Sequence, residues 1–198
     1  LDEVAGKLED LRGRYGAETL AFTHGTKRTY HWDERRFHNL FGTPNICGAN
    51  NVCMCPSQAV EYATYGGFSW GDIRQTRCIV LWGQGPSQSN FGLFGQINMA
   101  KKNGAKLIVV APRRIREADM ADLWLPIRPG TDVALMLGWL KIIMDEELYD
   151  RDFVENWTVG FEDLKKAAAE YTPDRVAEIT WLSPEQVVES ARTYATTR

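Results

Sequence analysis

The sequence predicts an α/β fold: a Rossmann-like, mostly parallel sheet flanked by helices, followed by a helical C-terminal part. Three observations carry this expectation. Short apolar runs recur at 78–82, 106–110 and 123–127. Each is followed by a stretch with helical spacing, at 90–103, near 116–121 and at 132–147. Each run also ends in a polar loop containing Gly or Pro. Apolar strands alternating with helices imply βαβ units in a parallel sheet, with right-handed crossovers.

The remaining elements follow in order. Residues 2–14 carry Val4, Leu8 and Leu11 at helical spacing, and Gly16 stops that helix. Residues 19–23 read as a strand and 34–40 as a short helix, which Gly42-Thr43-Pro44-Asn45 breaks. Residues 42–56, with Gly, Pro, Asn and three cysteines, read as an ordered functional loop. Residues 57–65 form a helix ending at Gly66-Gly67. From about Tyr149 the chain turns helical. Thr172-Pro173 and Ser183-Pro184 each place an N-cap before a Pro at the first helical position, and Ser183 with Gln186 makes a capping box. The organisation expected is a metal-ligand loop region over 1–77 and a nucleotide-binding βαβ core over 78–148.

Composition narrows the function classes. With 198 residues, 44% of them hydrophobic, the chain can build one sizeable core, or one domain with an appendage. A formal net charge of −3 disfavours nucleic acid as a partner. No apolar run is long enough to span a bilayer. The first residue is Leu1, inside a helical pattern, so the sequence reads as an internal piece of a longer protein with its compartment unassigned. The cysteines are Cys47, Cys53, Cys55 and Cys78; Cys78 begins a core strand and the others crowd one loop, unlike a secreted disulfide framework.

The loop after Trp82 is a candidate phosphate site. Gly83, Gln84, Pro86, Ser87 and Ser89 lie between a buried strand and a helix, where a backbone can approach phosphates and a helix start offers N–H groups. It is neither a GxGxxG fingerprint nor a Walker loop, and an ordinary βα turn is the alternative. Its weight comes from position, because ligands bind outside the carboxyl ends of parallel strands. Pro112, Arg113 and Arg114 follow the next strand; guanidinium groups pair bidentately with phosphate, or are merely surface charge. Gly130, Thr131 and Asp132 follow the third. A carboxylate accepts two parallel hydrogen bonds from N1–H and N2–H of guanine, which adenine does not offer. Asp132 also suits the first turn of a helix.

Cys47, Cys53 and Cys55 do not have the spacing of a structural zinc site, and His24, His31 and His38 lie outside their loop. Nor do they form the tighter four-cysteine pattern of an Fe–S cluster. A single thiolate reaching one soft metal held by other sulfurs fits better; free thiols in a loop are the alternative.

Taken together, the order Phe41-Gly42-Thr43-Pro44-Asn45, Cys53-Met54-Cys55-Pro56-Ser57, Leu81-Trp82-Gly83 with Pro86 and Ser89, Ala111-Pro112-Arg113, Ala121-Asp122, the run Leu125 to Leu135, then Tyr149-Asp150, Phe153-Val154 and Gly160-Phe161 resembles the molybdopterin oxidoreductases of the dimethyl sulfoxide reductase type. The resemblance spans nearly the whole chain and is strongest over 41–161. It implies a bis(molybdopterin guanine dinucleotide) cofactor with Mo or W, and places Cys53 where the family has its catalytic metal ligand, with Cys55 as second choice. It puts Gly83 to Ser89 on one guanine dinucleotide, Pro112 to Arg114 at a second contact, and Gly130, Thr131 and Asp132 on the guanine.

Three departures stand out. Ala111 replaces a frequent Asp, Gly85 a frequent Asn, and Met54 the His that follows the ligand in formate dehydrogenases of the family, which lowers formate oxidation among the substrates implied. The resemblance further implies a [4Fe-4S] cluster in an N-terminal part outside this sequence, a small-molecule substrate and electron-transfer subunits. It selects no substrate, since the family handles nitrate, sulfur compounds, formate, arsenic species and the hydration of acetylene. On this reading the chain supplies the metal ligand and about half the cofactor cradle, and does not turn over alone. The competing readings are a nucleotide-binding module without metal chemistry, which has no need of the Cys53 loop, and a non-catalytic relative that has lost the cofactor.

Overall fold

The computed structural model describes residues 1–25, 31–49, 53–69 and 71–197. They form two compact units, Leu1–Trp70 and Gly71–Arg198.

The first unit contains α1 (Asp2–Tyr15), β1 (Phe22–His24), α2 (His31–Phe41), β2 (Ile46–Gly48) and α3 (Met54–Tyr65). β1 and β2 pair in parallel, with Phe22 opposite Ile46 and Thr23 opposite Cys47. β2 lies inside the segment expected to be loop. It is only three residues long and owes its form to pairing with β1, which no local pattern reveals. The strand expected at 19–23 is shifted: 17–19 is a 3-10 turn and β1 starts at Phe22. The Thr43-Pro44-Asn45 segment is firmly tied. Thr43 Oγ1 donates to Leu20 O at 2.5 Å, Asn45 Nδ2 donates to Glu18 O at 2.7 Å, and Phe22 N donates to Asn45 O at 2.8 Å. Phe22 packs edge-on to His38, and Phe37 stacks on Phe41.

The second unit is a parallel sheet in the order β3 (Cys78–Trp82), β4 (Lys106–Val110), β5 (Leu123–Leu125). Between them run α4 (Pro86–Ser89), α5 (Phe91–Lys102) and α6 (Arg116–Met120); after them come α7 (Asp132–Asp145), α8 (Arg151–Trp157), α9 (Phe161–Ala168), α10 (Pro173–Thr180) and α11 (Pro184–Thr196). Successive side chains of a strand point to opposite faces, and here both faces are covered. Ile79, Leu81, Leu107 and Val109 pack with Ile97 of α5 and Ala118 of α6. Val80, Trp82, Ile108, Val110 and Leu125 pack with Leu135 and Trp139 of α7, Val176 of α10 and Val187 of α11. Both crossovers put their helices on one face, as a single crossover handedness requires when the strand order advances steadily. β4 is central, and its residues 107–110 are all buried, the continuous apolar pattern of a doubly covered parallel strand.

Local rules explain most element ends. Ser183 accepts the Gln186 N–H and Gln186 returns the bond, completing the capping box. Thr172 caps α10 ahead of Pro173. β5 stops at Leu125 rather than 127, because Pro126 has no N–H to continue a ladder. α3 begins at Met54, earlier than expected, since Pro56 in a first turn forfeits only an N–H that has no helical partner. Gly138 lets α7 and α10 touch: a Cβ there would meet Val176 Cγ2 at 2.6 Å.

Candidate functional site

The strand ends create the candidate site. Trp82, Val110 and Leu125 are in register across the sheet: Trp82 pairs with Val110, and Val110 with Leu125. The three loops expected to hold ligand therefore leave one edge, the carboxyl edge, side by side. Neighbouring strands lie roughly 4.8 Å apart, so the loops span a width suited to a nucleotide.

The first loop turns at Gly83, which has φ +62 and open space where a Cβ would stand. This left-handed conformation favours glycine. Its N–H donates to Val110 O at 3.0 Å, extending the ladder by one bond. Residues 86–89 then form the one-turn helix α4, and Asn90 interrupts before capping α5 through the Leu93 N–H. The expected free N–H groups are not at the start of α4. Pro86 has none. Ser87 N donates to Glu117 Oε1 at 2.5 Å, and the N–H groups of Gln88 and Ser89 donate to Gly85 O. Ser89 Oγ donates to Gly85 O as well. What this loop offers a ligand is the exposed Gln84 and Gln88 side chains and the half-buried Ser87.

In the second loop Pro112, Arg113 and Arg114 are all exposed. The two arginines differ. Arg114 Nε donates to Asp119 Oδ1 at 2.6 Å, and its guanidinium lies over the Trp124 ring, 5.8 Å from the centroid. Arg113 has no carboxylate partner among the described residues, so its donor fork is available to an anion.

The third loop is a tight turn, Arg128-Pro129-Gly130-Thr131, with Thr131 N donating to Arg128 O at 3.3 Å and Gly130 at φ +82. Pro then Gly at the central positions suits a type II turn. Thr131 Oγ1 also donates to Arg128 O, at 2.7 Å. Asp132 is the first residue of α7. Its side chain points back to the sheet: Trp82 Nε1 donates to Asp132 Oδ1 at 2.7 Å.

Two features escaped the sequence reading. Glu117 is fully buried, yet it carries a carboxylate under the first loop, with Oε2 unpartnered among the described residues. Trp82 reads in sequence as the end of a core strand, and its bond to a residue 50 positions away is invisible there. An indole at the last position of a strand, next to a Gly turn, is the one available hint.

In the first unit, Cys53 is exposed and is the N-cap of α3, with Ser57 Oγ donating to its carbonyl at 3.2 Å. The sulfur thus stands at the helix end where backbone N–H groups lack partners. Cys55 is exposed on the first turn of α3, and Cys47 is exposed in β2. Residues 50–52 of the expected cysteine loop lie outside the described residues. Among the described residues no group of three His, Cys, Asp or Glu side chains converges. Cys78 is different in kind: partial burial and the nearby Asp122 carboxylate push its thiol above the ordinary value, as expected for a core thiol.

A family model described as "Molybdopterin oxidoreductase" matches residues 1–181. The chain belongs to the molybdopterin oxidoreductase family. Along 99% of its length it is 41% identical to acetylene hydratase of Syntrophotalea acetylenica. It is 31% identical to formate dehydrogenase H of Escherichia coli over 98% of the chain, and 31% identical to a nitrate reductase of Symbiobacterium thermophilum over 97%. The solved structure of acetylene hydratase from Pelobacter acetylenicus superposes with a TM-score of 0.75 at 40% identity, over 99% of the chain. The chain spans 27–28% of the length of these relatives. For a molybdopterin oxidoreductase the pterin cofactor is the common element; the carboxyl edge of this chain carries a guanidinium with no carboxylate partner among the described residues, uncharged polar side chains, and a carboxylate.

Proposed function

We propose that the chain is part of an oxidoreductase that carries bis(molybdopterin guanine dinucleotide) with Mo or W and performs two-electron chemistry on a small substrate. The observation that carries the reading is the carboxyl edge, where three polar loops stand in register with Asp132 at one end.

In this proposal Arg113 neutralises a cofactor phosphate, with Arg114, Gln84 and Ser87 as further polar contacts. Pro86 and Ser89 shape the first loop, Gly83 supplies its turn, and Pro112 sets the second. Gly130 and Thr131 hold the third turn so that Asp132 faces the guanine. Cys53, exposed at the start of α3, donates its thiolate to the metal. When bound, the cofactor supplies the electron transfer, and the protein supplies binding, orientation and electrostatics. A [4Fe-4S] cluster, electron-transfer subunits and the rest of the cofactor site belong to other parts of the parent assembly; by itself this chain supplies the metal ligand and part of the cradle, without turnover.

The test uses the complete polypeptide that carries this chain. Cys53→Ala is expected to abolish metal-dependent turnover and lower bound Mo or W, while guanine nucleotide is still released on denaturation. Unchanged turnover and metal content would sink the assignment of Cys53.

A further inference from the structure

We propose that Trp82 is the positioning residue of the base-reading carboxylate. Its indole N–H fixes the rotation of Asp132, and with it the preference for guanine over adenine. The inference rests on the reading of Asp132 given above.

An aspartate at the first position of a helix ordinarily swings freely or caps its own helix. Asp132 instead reaches across to β3 and accepts Trp82 Nε1 at 2.7 Å. The donor is itself held. The Trp82 ring meets the Trp139 ring edge-on, with centroids 5.5 Å apart and planes at 70°. Trp139 is buried; its Nε1 donates to the buried Ser190 Oγ at 2.9 Å, and its ring stacks on Tyr194. Asp132 is therefore oriented through β3, α7 and α11 together, more rigidly than a surface acid.

The chemistry of the carboxylate makes this orientation matter. Its two oxygens present about four lone-pair sites. The indole occupies one on Oδ1, and the others stay open to a pair of parallel N–H donors. Guanine offers such a pair in N1–H and N2–H. Adenine offers one N–H beside a ring nitrogen lone pair, which a fixed carboxylate repels. A carboxylate free to rotate could still accept the single adenine N–H, so losing Trp82 Nε1 should cost selectivity more than binding.

The complete polypeptide, produced without cofactor, is titrated with GDP and with ADP. Wild type is expected to prefer GDP. Asp132→Ala loses the preference. Trp82→Phe, which keeps an aromatic ring without the donor, lowers the GDP:ADP ratio about tenfold, the scale of one hydrogen bond to a charged group. In the Asp132→Ala background Trp82→Phe has no further effect, because both act through one bond. Trp82→His keeps a ring N–H and is expected to retain part of the preference; it also serves if Trp82→Phe does not fold. A purely structural role for Trp82 would weaken GDP and ADP alike. A wild-type ratio in Trp82→Phe or an absent preference in Trp82→His, beside a lost preference in Asp132→Ala, overturns this inference alone. Equal binding of both nucleotides by wild type removes the guanine reading itself, and this inference with it.

Discussion

The carboxylate of Glu117, fully buried in α6, accepts the backbone N–H of Ser87 at 2.5 Å and so closes the first turn of α4 from beneath. Pro86 beside it is also buried. The loop that was expected to greet a ligand with free N–H groups is thus fastened to the protein by its own acid.

Removing that acceptor strands a part-buried N–H, at a cost of about 1–3 kcal/mol. Glu117→Ala should therefore speed amide exchange at Ser87 by about 5- to 150-fold. Glu117→Gln, which keeps a carbonyl oxygen in place, should show a clearly smaller effect. Hydrogen exchange read by NMR or mass spectrometry checks both, and equal exchange in all three proteins would remove Glu117 as the anchor.

Asp122 ties the opposite edge of the sheet. It accepts Leu107 N at 2.8 Å and Lys101 Nζ at 2.6 Å, with Lys106 Nζ at 3.5 Å. Partial burial alone would raise its carboxyl, but the bonds from Lys101 and Leu107 and the charges of both lysines outweigh it and hold it below the ordinary value. A lowered folded-state value stabilises above the unfolded value of about 3.9, and that stability is lost as pH falls through the folded value. Asp122→Ala should cost about 1–3 kcal/mol at neutral pH, and the gap from wild type should narrow below about pH 4. Urea unfolding across pH reads it.

The closeness of α7 to α10 gives a packing prediction. Alanine at position 138 gains helix propensity of about 1 kcal/mol, yet its Cβ would stand 2.6 Å from Val176 Cγ2. Val176 is fully buried and β-branched, so it has little freedom to yield. Overpacking wins, and Gly138→Ala should destabilise by a net ~1–2 kcal/mol. Val176→Ala should cost less in the Gly138→Ala background than it does alone, because it removes the clashing methyl, a coupling that a double-mutant cycle measures.

The two arginines of the second loop should separate in function. Arg113, without a carboxylate partner among the described residues, should carry most of the electrostatic attraction for a pyrophosphate. Arg114, paired with Asp119 and lying over Trp124, is partly committed already. Arg113→Ala should weaken GDP binding to the cofactor-free complete polypeptide more than Arg114→Ala, by about tenfold at low salt, with the difference shrinking as salt rises. Equal losses would place both side chains on the ligand.

Much of the second unit was legible in the sequence because its signals are local. Buried runs such as Leu107 to Val110, the Pro-Gly turn before Asp132, and the Ser183–Gln186 cap each carry their meaning within a few residues. β2 was not legible, because a three-residue strand exists only through its partner. The early start of α3 was missed because Pro56 reads as a breaker until its place in a first turn is known. Among the candidate site residues, the loops were proposed from their position after strands, and Arg113 and Arg114 looked alike until Asp119 and Trp124 distinguished them.

By itself the sequence determined the strand–helix alternation, the loops that end each strand, the family resemblance, and the candidate roles of Cys53, Arg113 and Asp132. Only the tertiary structure decided that Trp82, Val110 and Leu125 stand in register, that Glu117 takes the Ser87 N–H, and that Trp82 holds Asp132. The physical reason is range. Periodicity, caps and turns arise between near neighbours in the chain. A hydrogen bond between residues 50 apart, or a buried carboxylate beneath a distant loop, is set by how the strands and helices pack.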